Sequence, residues 1–471
     1  MRSAALLPVL LILGLAPASA QETPEKRVDA LFAKWSKPGS AGAAVAVIKD
    51  GKVVLRRAYG AADIGLGVPN RVDTVFPLQS AAKQFTATAI YLLAQRGKLS
   101  LKDNVRRVIP ELHDFGSPIT VMDLLRHTSG LRDIANLQVD AGLKLADTMS
   151  QDEALKLIFA QRELNFRPGS DFNYSNSNYV LLALMIERLS GESYPDFLRR
   201  HIFAPLGMTH TSVQQDYRSI VPNAANSYVP DDKGVWFFAP ANNSIWGAKG
   251  IFTTVDDMAR WDANFDSGRV GGKALMAALA DKPRAVTMPS GYRLGYASGL
   301  VVTTYRSQKM VWHDGNDAAY DVMFARFPGQ KLSVIVLGNA GNLGAHGMSQ
   351  RIADIFLDPR LPPPEKFKRR PQPPEPPKLT PEAARTAGYA GAYYSEEMNV
   401  VYRIAIEKGA VMLHHPRMAF ALRSSGRDRL VASAPIGALV FQRDAKGAIT
   451  GLRMDSDDGR NRNMRFVRLA R

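Results

Sequence analysis

The sequence predicts an α+β fold, an antiparallel sheet covered by a mainly helical half, followed by a small all-β barrel. Three observations predict it. Short apolar strand-like runs stand near both ends of the first 360 residues, with helix-periodic segments between them. A proline-rich stretch then breaks the pattern. After it come only short β-like runs separated by Gly, Asp, Asn and Ser turns.

Taken in order, Ala43 to Ile48 is apolar and valine-rich, Lys49-Asp50-Gly51-Lys52 is a turn, and Val53 to Tyr59 follows, which reads as a β-hairpin. Ser80 to Arg96 reads as a helix, because Phe85, Thr88, Ala89, Leu92 and Leu93 recur at helical spacing and Gly97 stands at its end. Thr120-Val-Met-Asp123 has the form of a capping box and opens a helix expected to end near Gly130. Asn178 to Leu189 reads as another helix, closed by Gly191, and Thr254-Val-Asp-Asp257 as a second capping box. Tyr320 to Phe327 and Leu332 to Leu337 read as strands around the Pro328-Gly329 turn. Beyond the prolines, seven β-like runs are expected between Tyr389 and Leu469.

These elements divide the chain into residues 1–20, a signal peptide; 21–360, the α+β domain; 361–381, a stiff proline-rich linker; and 382–471, the barrel. The first segment has a basic start at Arg2, an apolar run from Leu6 to Leu15 and the small-residue site Ala18-Ser19-Ala20. Cleavage there implies a secreted or periplasmic protein, the alternative being an uncleaved anchor. No later segment approaches the ~20 apolar residues of a membrane span.

Composition excludes several classes. The 471 residues are 46% hydrophobic and 22% charged, as in globular proteins that bury a core. There is no cysteine, which removes disulfides, thiol nucleophiles, Cys-ligated metals and the acylated cysteine of a lipoprotein. The net charge is +16, and from Leu361 to Arg471 there are 20 basic and 11 acidic residues, +9 in that stretch. A basic face can meet nucleic acid or an acidic polymer. The plainer reading is a solvated basic surface, since no nucleic-acid motif accompanies it. No nucleic-acid partner, metal or cofactor is expected.

Three motifs carry chemistry. Ser80-Ala81-Ala82-Lys83 sets a hydroxyl and an amine on one helix face, where a loop gives way to the helix. A serine needs a base to take its proton, and a lysine can be that base if burial lowers its pKa from about 10.4. The spacing alone is weak; a chain of this length holds about one such match by chance. Tyr174-Ser175-Asn176 follows the turn Phe166-Arg167-Pro168-Gly169. The tyrosine suits proton transfer if a neighbouring ammonium stabilises its phenolate. The asparagine amide suits holding a substrate carbonyl and donating a hydrogen bond to the lysine. A surface loop is the alternative for this segment. His313-Asp314-Gly315 precedes the strand at Tyr320, where a sheet edge offers backbone N–H groups to an oxyanion, those of Asn316 and Ser80.

The ordered set Ser80-x-x-Lys83, Tyr174-x-Asn176, His313-x-Gly315 resembles the serine β-lactamase-like superfamily of class C β-lactamases, low-molecular-weight penicillin-binding proteins, esterases and D-aminopeptidases. Leu124-Leu-Arg-His-Thr-Ser-Gly-Leu131 and Gly250 to Arg260 resemble further strings of that family, and the similarity spans roughly Val28 to Leu357. The resemblance implies a β-lactamase/DD-peptidase-like fold and a C-terminal lipocalin-like module. It implies that Ser80 is acylated, that Lys83 and Tyr174 share the base and acid work, and that Asn176, His313, Gly315 and Asn316 bind substrate. His313 stands where penicillin-recognising members carry a lysine that helps bind a carboxylate. Histidine is mostly neutral at pH 7, and Asp314 and Asp317 add negative charge.

The expectation is an exported serine hydrolase acting through a Ser80 acyl-enzyme on small ester, amide or peptide substrates. A β-lactamase or D-Ala-D-Ala carboxypeptidase is the first alternative, and a non-catalytic binding or sensor protein of the same fold is the second. Self-association through the C-terminal domain is a further expectation. His127 reads as a packing or hydrogen-bonding residue, Trp246 and Trp312 as pocket or core, and His414-His415 as exposed strand residues.

Overall fold

The hairpin forms where the turn chemistry demands it: Ala43–Lys49 is β1 and Lys52–Tyr59 is β2, joined through Asp50 and Gly51 at φ 52° and 73°. In this computed structural model, which describes residues 22–287, 292–365 and 374–470, the hairpin is one end of an eight-stranded antiparallel sheet. The proposed signal peptide at 1–20 and the middle of the proline-rich stretch lie outside the described residues.

The helical half follows β2. It contains α1 (Lys83–Gln95), α2 (Val121–Leu125), α3 (Ile134–Asp140), α4 (Asn176–Ser190) and α5 (Val255–Ser267). The chain then returns to the sheet as β3 (Arg284–Thr287), β4 (Arg293–Tyr296), β5 (Val301–Tyr305), β6 (Gln308–Asp317), β7 (Tyr320–Phe327) and β8 (Leu332–Gly338), and adds α6 (Ala345–Phe356). The sheet order is β3-β4-β5-β6-β7-β8-β1-β2. Alternate residues of β1 face two cores: Ala44, Ala46 and Ile48 the helical half, Ala43, Val45 and Val47 the layer that includes α6. Burial on both faces explains the unbroken apolar run.

Several elements differ from the sequence reading. Ser80 stands in a 3₁₀ turn, Gln79–Ala82, and the α-helix begins at Lys83. The Thr120–Asp123 capping box is present in both directions, but α2 ends at Leu125 rather than near Gly130. His127 at φ 58° and Gly130 at φ 77° turn the chain instead. At Thr254 only half of the box forms, because the Asp257 carboxylate accepts from His210 N and Thr211 Oγ1 and pairs with Arg260. Strands β3 to β6 had no clear period-2 signal and were not expected.

Beyond the prolines the chain forms a short helix, Pro381–Ala387, and nine antiparallel strands: β9 (Gly391–Ser395), β10 (Val400–Glu407), β11 (Ala410–His415), β12 (Met418–Ala421), β13 (Arg423–Gly426), β14 (Arg429–Val431), β15 (Ala438–Arg443), β16 (Ile449–Asp455) and β17 (Met464–Arg468). Their order, β12-β11-β10-β9-β17-β16-β15-β14-β13, makes a nearly closed barrel. Two of these strands, β12 and β13, were missed because they are four residues long and run on with one residue between them. Inward side chains such as Tyr393, Tyr402, Leu452 and Phe466 fill the interior. The last residues before the barrel are tied to it, with Leu379 N donating to Leu422 O and Ser424 N to Pro377 O.

Candidate active site

A cavity of about 470 Å³ opens between the sheet, the helical half and the barrel. Ser80, Tyr174, Asn176, His313 and Asn316 line it, so residues from three distant stretches of sequence converge there. Lys83 lies directly beneath, with no exposed surface.

The local fold around Ser80 sets the pair. One turn of 3₁₀ helix places the Lys83 amine 3.2 Å from Ser80 Oγ. Lys83 Nζ also lies 2.8 Å from Asn176 Oδ1 and 3.0 Å from the Ala248 carbonyl. Helix α1 is buried on all sides from Lys83 to Leu93, and Lys83 itself has no exposed surface. Burial pushes its pKa well below the usual lysine value; Asp133 opposes this, and Lys249 and Arg460 reinforce it. A neutral amine has two N–H donors and one lone pair. Asn176 Oδ1 and Ala248 O take the donors, which leaves the lone pair for the Ser80 hydroxyl. The expected direction at Asn176 is therefore reversed: the lysine donates and the amide oxygen accepts.

Tyr174 lies above this pair, its ring centroid 4.8 Å from Lys83 Nζ. Its hydroxyl is enclosed and makes no hydrogen bond. Burial raises the phenol pKa, and the nearby Ser80 hydroxyl partly offsets that rise. Tyr174 is thus a neutral phenol at ordinary pH, not a phenolate. Beneath its ring lies His127, 4.4 Å away between centroids. His127 Nδ1 accepts from Ser175 N–H at 3.1 Å, and burial keeps the imidazole neutral.

The motif at 313–315 is inside a strand rather than before one. β6 has β5 and β7 as neighbours, but β5 pairs only with Gln308 to Trp312. From His313 to Asp317 that side is open, so the exposed edge is a local gap in the middle of the sheet. The two-residue turns at Arg306-Ser307 and Ala318-Ala319 make Gln308 and Asp317 hydrogen-bonded pairs with their partners. By alternation the main-chain groups of Asp314 and Asn316 point into the gap. Gly315 packs against the Ser80 turn so closely that a Cβ there would lie 2.2 Å from Leu78 O and 3.0 Å from Ser80 N. That contact brings the Asn316 edge beside the Ser80 N–H.

His313 has both ring nitrogens engaged: Nδ1 donates to Asp314 O at 2.6 Å, and Nε2 accepts from Tyr296 Oη at 3.1 Å. Burial lowers its pKa to about 4, against Asp314. It is a neutral wall of the cavity with little capacity for a substrate anion. Most of the remaining lining is apolar, including Ile134, Met149, Phe172, Leu294 and Trp312. Trp246 packs on the helical core instead.

Three site residues escaped the sequence reading. Asp133 is fully buried and accepts the Asn176 N–H at 2.6 Å. Lys249 pairs with Asp317 at 2.7 Å across the gap. Arg460, from the loop between β16 and β17, reaches into the same cavity. Asp133 stands two residues after the Leu124 to Leu131 string, which is a signal of sorts; Arg460 sits in a polar turn with none.

Comparisons with known proteins agree with this fold. A family model described as Beta-lactamase matches residues 28–355. A D-aminopeptidase of Cereibacter sphaeroides is 27% identical over 415 residues, 87% of this chain and 72% of the relative. The octameric penicillin-binding protein homologue from Pyrococcus abyssi superposes with a TM-score of 0.62 at 22% identity, covering 94% of this chain and 99% of that one. A D-amino acid amidase from Ochrobactrum anthropi gives 0.59 at 23% identity, over 70% of this chain and 98% of its own. The chain belongs to the beta-lactamase family and is a serine hydrolase.

Proposed function

We propose that this hydrolase acts through an acyl-enzyme on Ser80, with amides or esters of a non-anionic acyl group as substrates. The observation that carries the reading is the Lys83 amine, buried, depressed in pKa and with its lone pair directed at Ser80 Oγ 3.2 Å away. In the first step Ser80 Oγ attacks the carbonyl carbon and its proton passes to Lys83 Nζ. The Ser80 and Asn316 N–H groups hold the oxyanion. Collapse expels the amine or alcohol, which takes a proton from the Tyr174 hydroxyl as the Lys83 ammonium returns one to Tyr174. A water then repeats the sequence on the acyl-enzyme and releases the acid.

The charge around the cavity supports the substrate class. With Lys83 and His313 neutral, Asp133, Asp314 and Asp317 face Lys249 and Arg460, so the fixed charges sum below zero. A penicillin-type carboxylate finds no unpaired cation at position 313, whereas a neutral or ammonium-bearing acyl group is tolerated. The D-aminopeptidase relatives add a more specific suggestion, an amide or short peptide of a D-amino acid with a free amine. The substrate-binding roles of Asn176 and Asn316, export after removal of residues 1–20, and the division of the chain into 21–360 and 382–471 belong to the same proposal.

The test is the intact mass of the protein after a generic serine-directed phosphonate, with Ser80→Ala treated in parallel. One adduct on the wild type and none on the variant is expected. An adduct that persists in Ser80→Ala, or turnover by a contamination-free sample of it, would overturn the assignment.

A further inference from the structure

The barrel does not simply follow the hydrolase domain. Residues 459–463 of its β16–β17 loop are bonded to two segments beside the site, around Asp133 and around Tyr174. Asn173, next to Tyr174, donates through Nδ2 to Gly459 O at 2.8 Å. Asn165 donates to Arg460 O at 2.6 Å and accepts from Arg462 N at 2.7 Å. Asn461 Oδ1 accepts the Asp133 N–H at 2.8 Å, and its Nδ2 donates to the buried Asp140 at 2.8 Å. From these anchors the Arg460 guanidinium lies over the Tyr174 ring, 5.4 Å from its centroid, and donates to Asp133 Oδ2 at 3.4 Å.

Asp133 gives this contact its weight. One of its oxygens accepts the Asn176 N–H at the start of α4, and Asn176 in turn holds Lys83. The carboxylate has no exposed surface, and a buried carboxylate without a cation is strongly unfavourable. Among the described residues, Arg460 is the cation ion-paired with it.

We propose that the C-terminal barrel completes the active site, with Arg460 as a positioning residue that clamps the Tyr174 ring and neutralises Asp133 where it holds Asn176. The proposal rests on the roles given above to Ser80, Lys83 and Tyr174. It assigns the barrel a part in turnover of every substrate rather than in choosing among them. The charge has a consequence for Lys83. Asp133 and Asp314 face that amine and favour its ammonium form, while Lys249 and Arg460 oppose it; His127 and His313 also face it, both held neutral by burial, and the rings of Tyr174 and Tyr179 pack alongside. Removing the Arg460 charge therefore raises the Lys83 pKa, and the acid limb of activity moves to higher pH.

The experiment measures kcat/KM against pH on a neutral ester and a matched anionic ester, using the full chain and the variants Arg460→Met, Arg460→Lys and Arg460→Met with Asp133→Asn. Arg460→Met is expected to lose on the order of tenfold or more on both esters, the scale of a misplaced catalytic group, and to shift the acid limb upward. Arg460→Lys should keep the limb. Asp133→Asn in the Arg460→Met background should restore activity in part and bring the limb back, because the unpaired carboxylate is gone; this double variant also serves if the single one folds poorly. Wild-type rates and limb in Arg460→Met would overturn the proposal, as would a loss confined to the anionic ester, which would make Arg460 a substrate contact. A uniform loss with an unmoved limb would show general structural damage and also overturn it. The phosphonate adduct separates the two readings: none on wild-type Ser80 defeats the site assignment itself, whereas equal acylation of wild type and Arg460→Met defeats only the role of Arg460.

Discussion

Replacing Gly315 by alanine tests the oxyanion geometry with a single methyl group. In the folded chain that Cβ would meet Leu78 O at 2.2 Å, Gln79 Cβ at 2.9 Å and Ser80 N at 3.0 Å. Two of these atoms are backbone, so no side chain can swing away. Restoring the first contact to 3.0 Å requires a shift of about 0.8 Å between β6 and the Ser80 turn. The same movement parts the Asn316 and Ser80 N–H groups. A displacement near 1 Å costs about 100-fold in rate, and loss of one oxyanion donor costs about 100- to 1,000-fold. Overpacking should cost about 1–3 kcal/mol in stability. The assay is kcat/KM on a neutral ester, with the rate of phosphonate acylation and a urea midpoint measured beside it. A kcat/KM fall of about 100-fold or more, slow acylation and a modest midpoint shift are expected. Wild-type acylation and turnover in a folded Gly315→Ala protein would refute the argument that Gly315 sets the oxyanion pair.

Three further outcomes follow from the same physics. Because Lys83 must be neutral to accept the Ser80 proton and burial depresses its pKa, kcat/KM should rise with pH and level off well below ~10.4, the value of a free lysine; a rate that falls through this range would contradict Lys83 as base. Glu397→Ala should leave Arg132, which has no exposed side-chain surface, as an uncompensated buried charge at the barrel contact, and lower stability by about 3–5 kcal/mol in a urea titration; a change below about 1 kcal/mol would show that water reaches the pair. Asp140, buried against the barrel and accepting from Asn461, has its carboxyl pushed up to about 7, mainly by burial. Between the usual carboxylate value of about 3.9 and 7 the folded chain keeps a proton that the unfolded chain has released, so stability falls as pH rises through that window. Asp140→Asn should therefore gain on the wild type between pH 5 and about 8, and a difference that does not change with pH would remove Asp140 from the account.

His415 shows how a local reading fails at a domain contact. From the sequence alone, exposure is the default for a strand histidine. In the folded chain it is buried and its Nε2 meets Val139 O at 2.8 Å, because α3 covers that side of the barrel. The same contact explains why Tyr402 Oη donates to Asp140 O. Neither residue is within 250 positions of its partner, so no window of sequence contains the pair.

By itself the sequence determined whatever depends on neighbours along the chain. The Asp50-Gly51 turn, the Thr120 box, the three-residue step from Ser80 to Lys83 and the order of the three motifs are properties of short segments, and backbone geometry alone makes them legible. Tertiary structure decided everything that depends on burial or on charge brought from elsewhere. It lowered the Lys83 pKa by enclosing α1, turned His313 inward onto Tyr296, opened the edge of β6 by starting β5 only at Val301, and delivered Arg460 from the barrel to Asp133. These outcomes rest on desolvation and on contacts between residues tens to hundreds of positions apart, and a linear pattern carries no record of how deeply a charge will be buried or which distant group will face it.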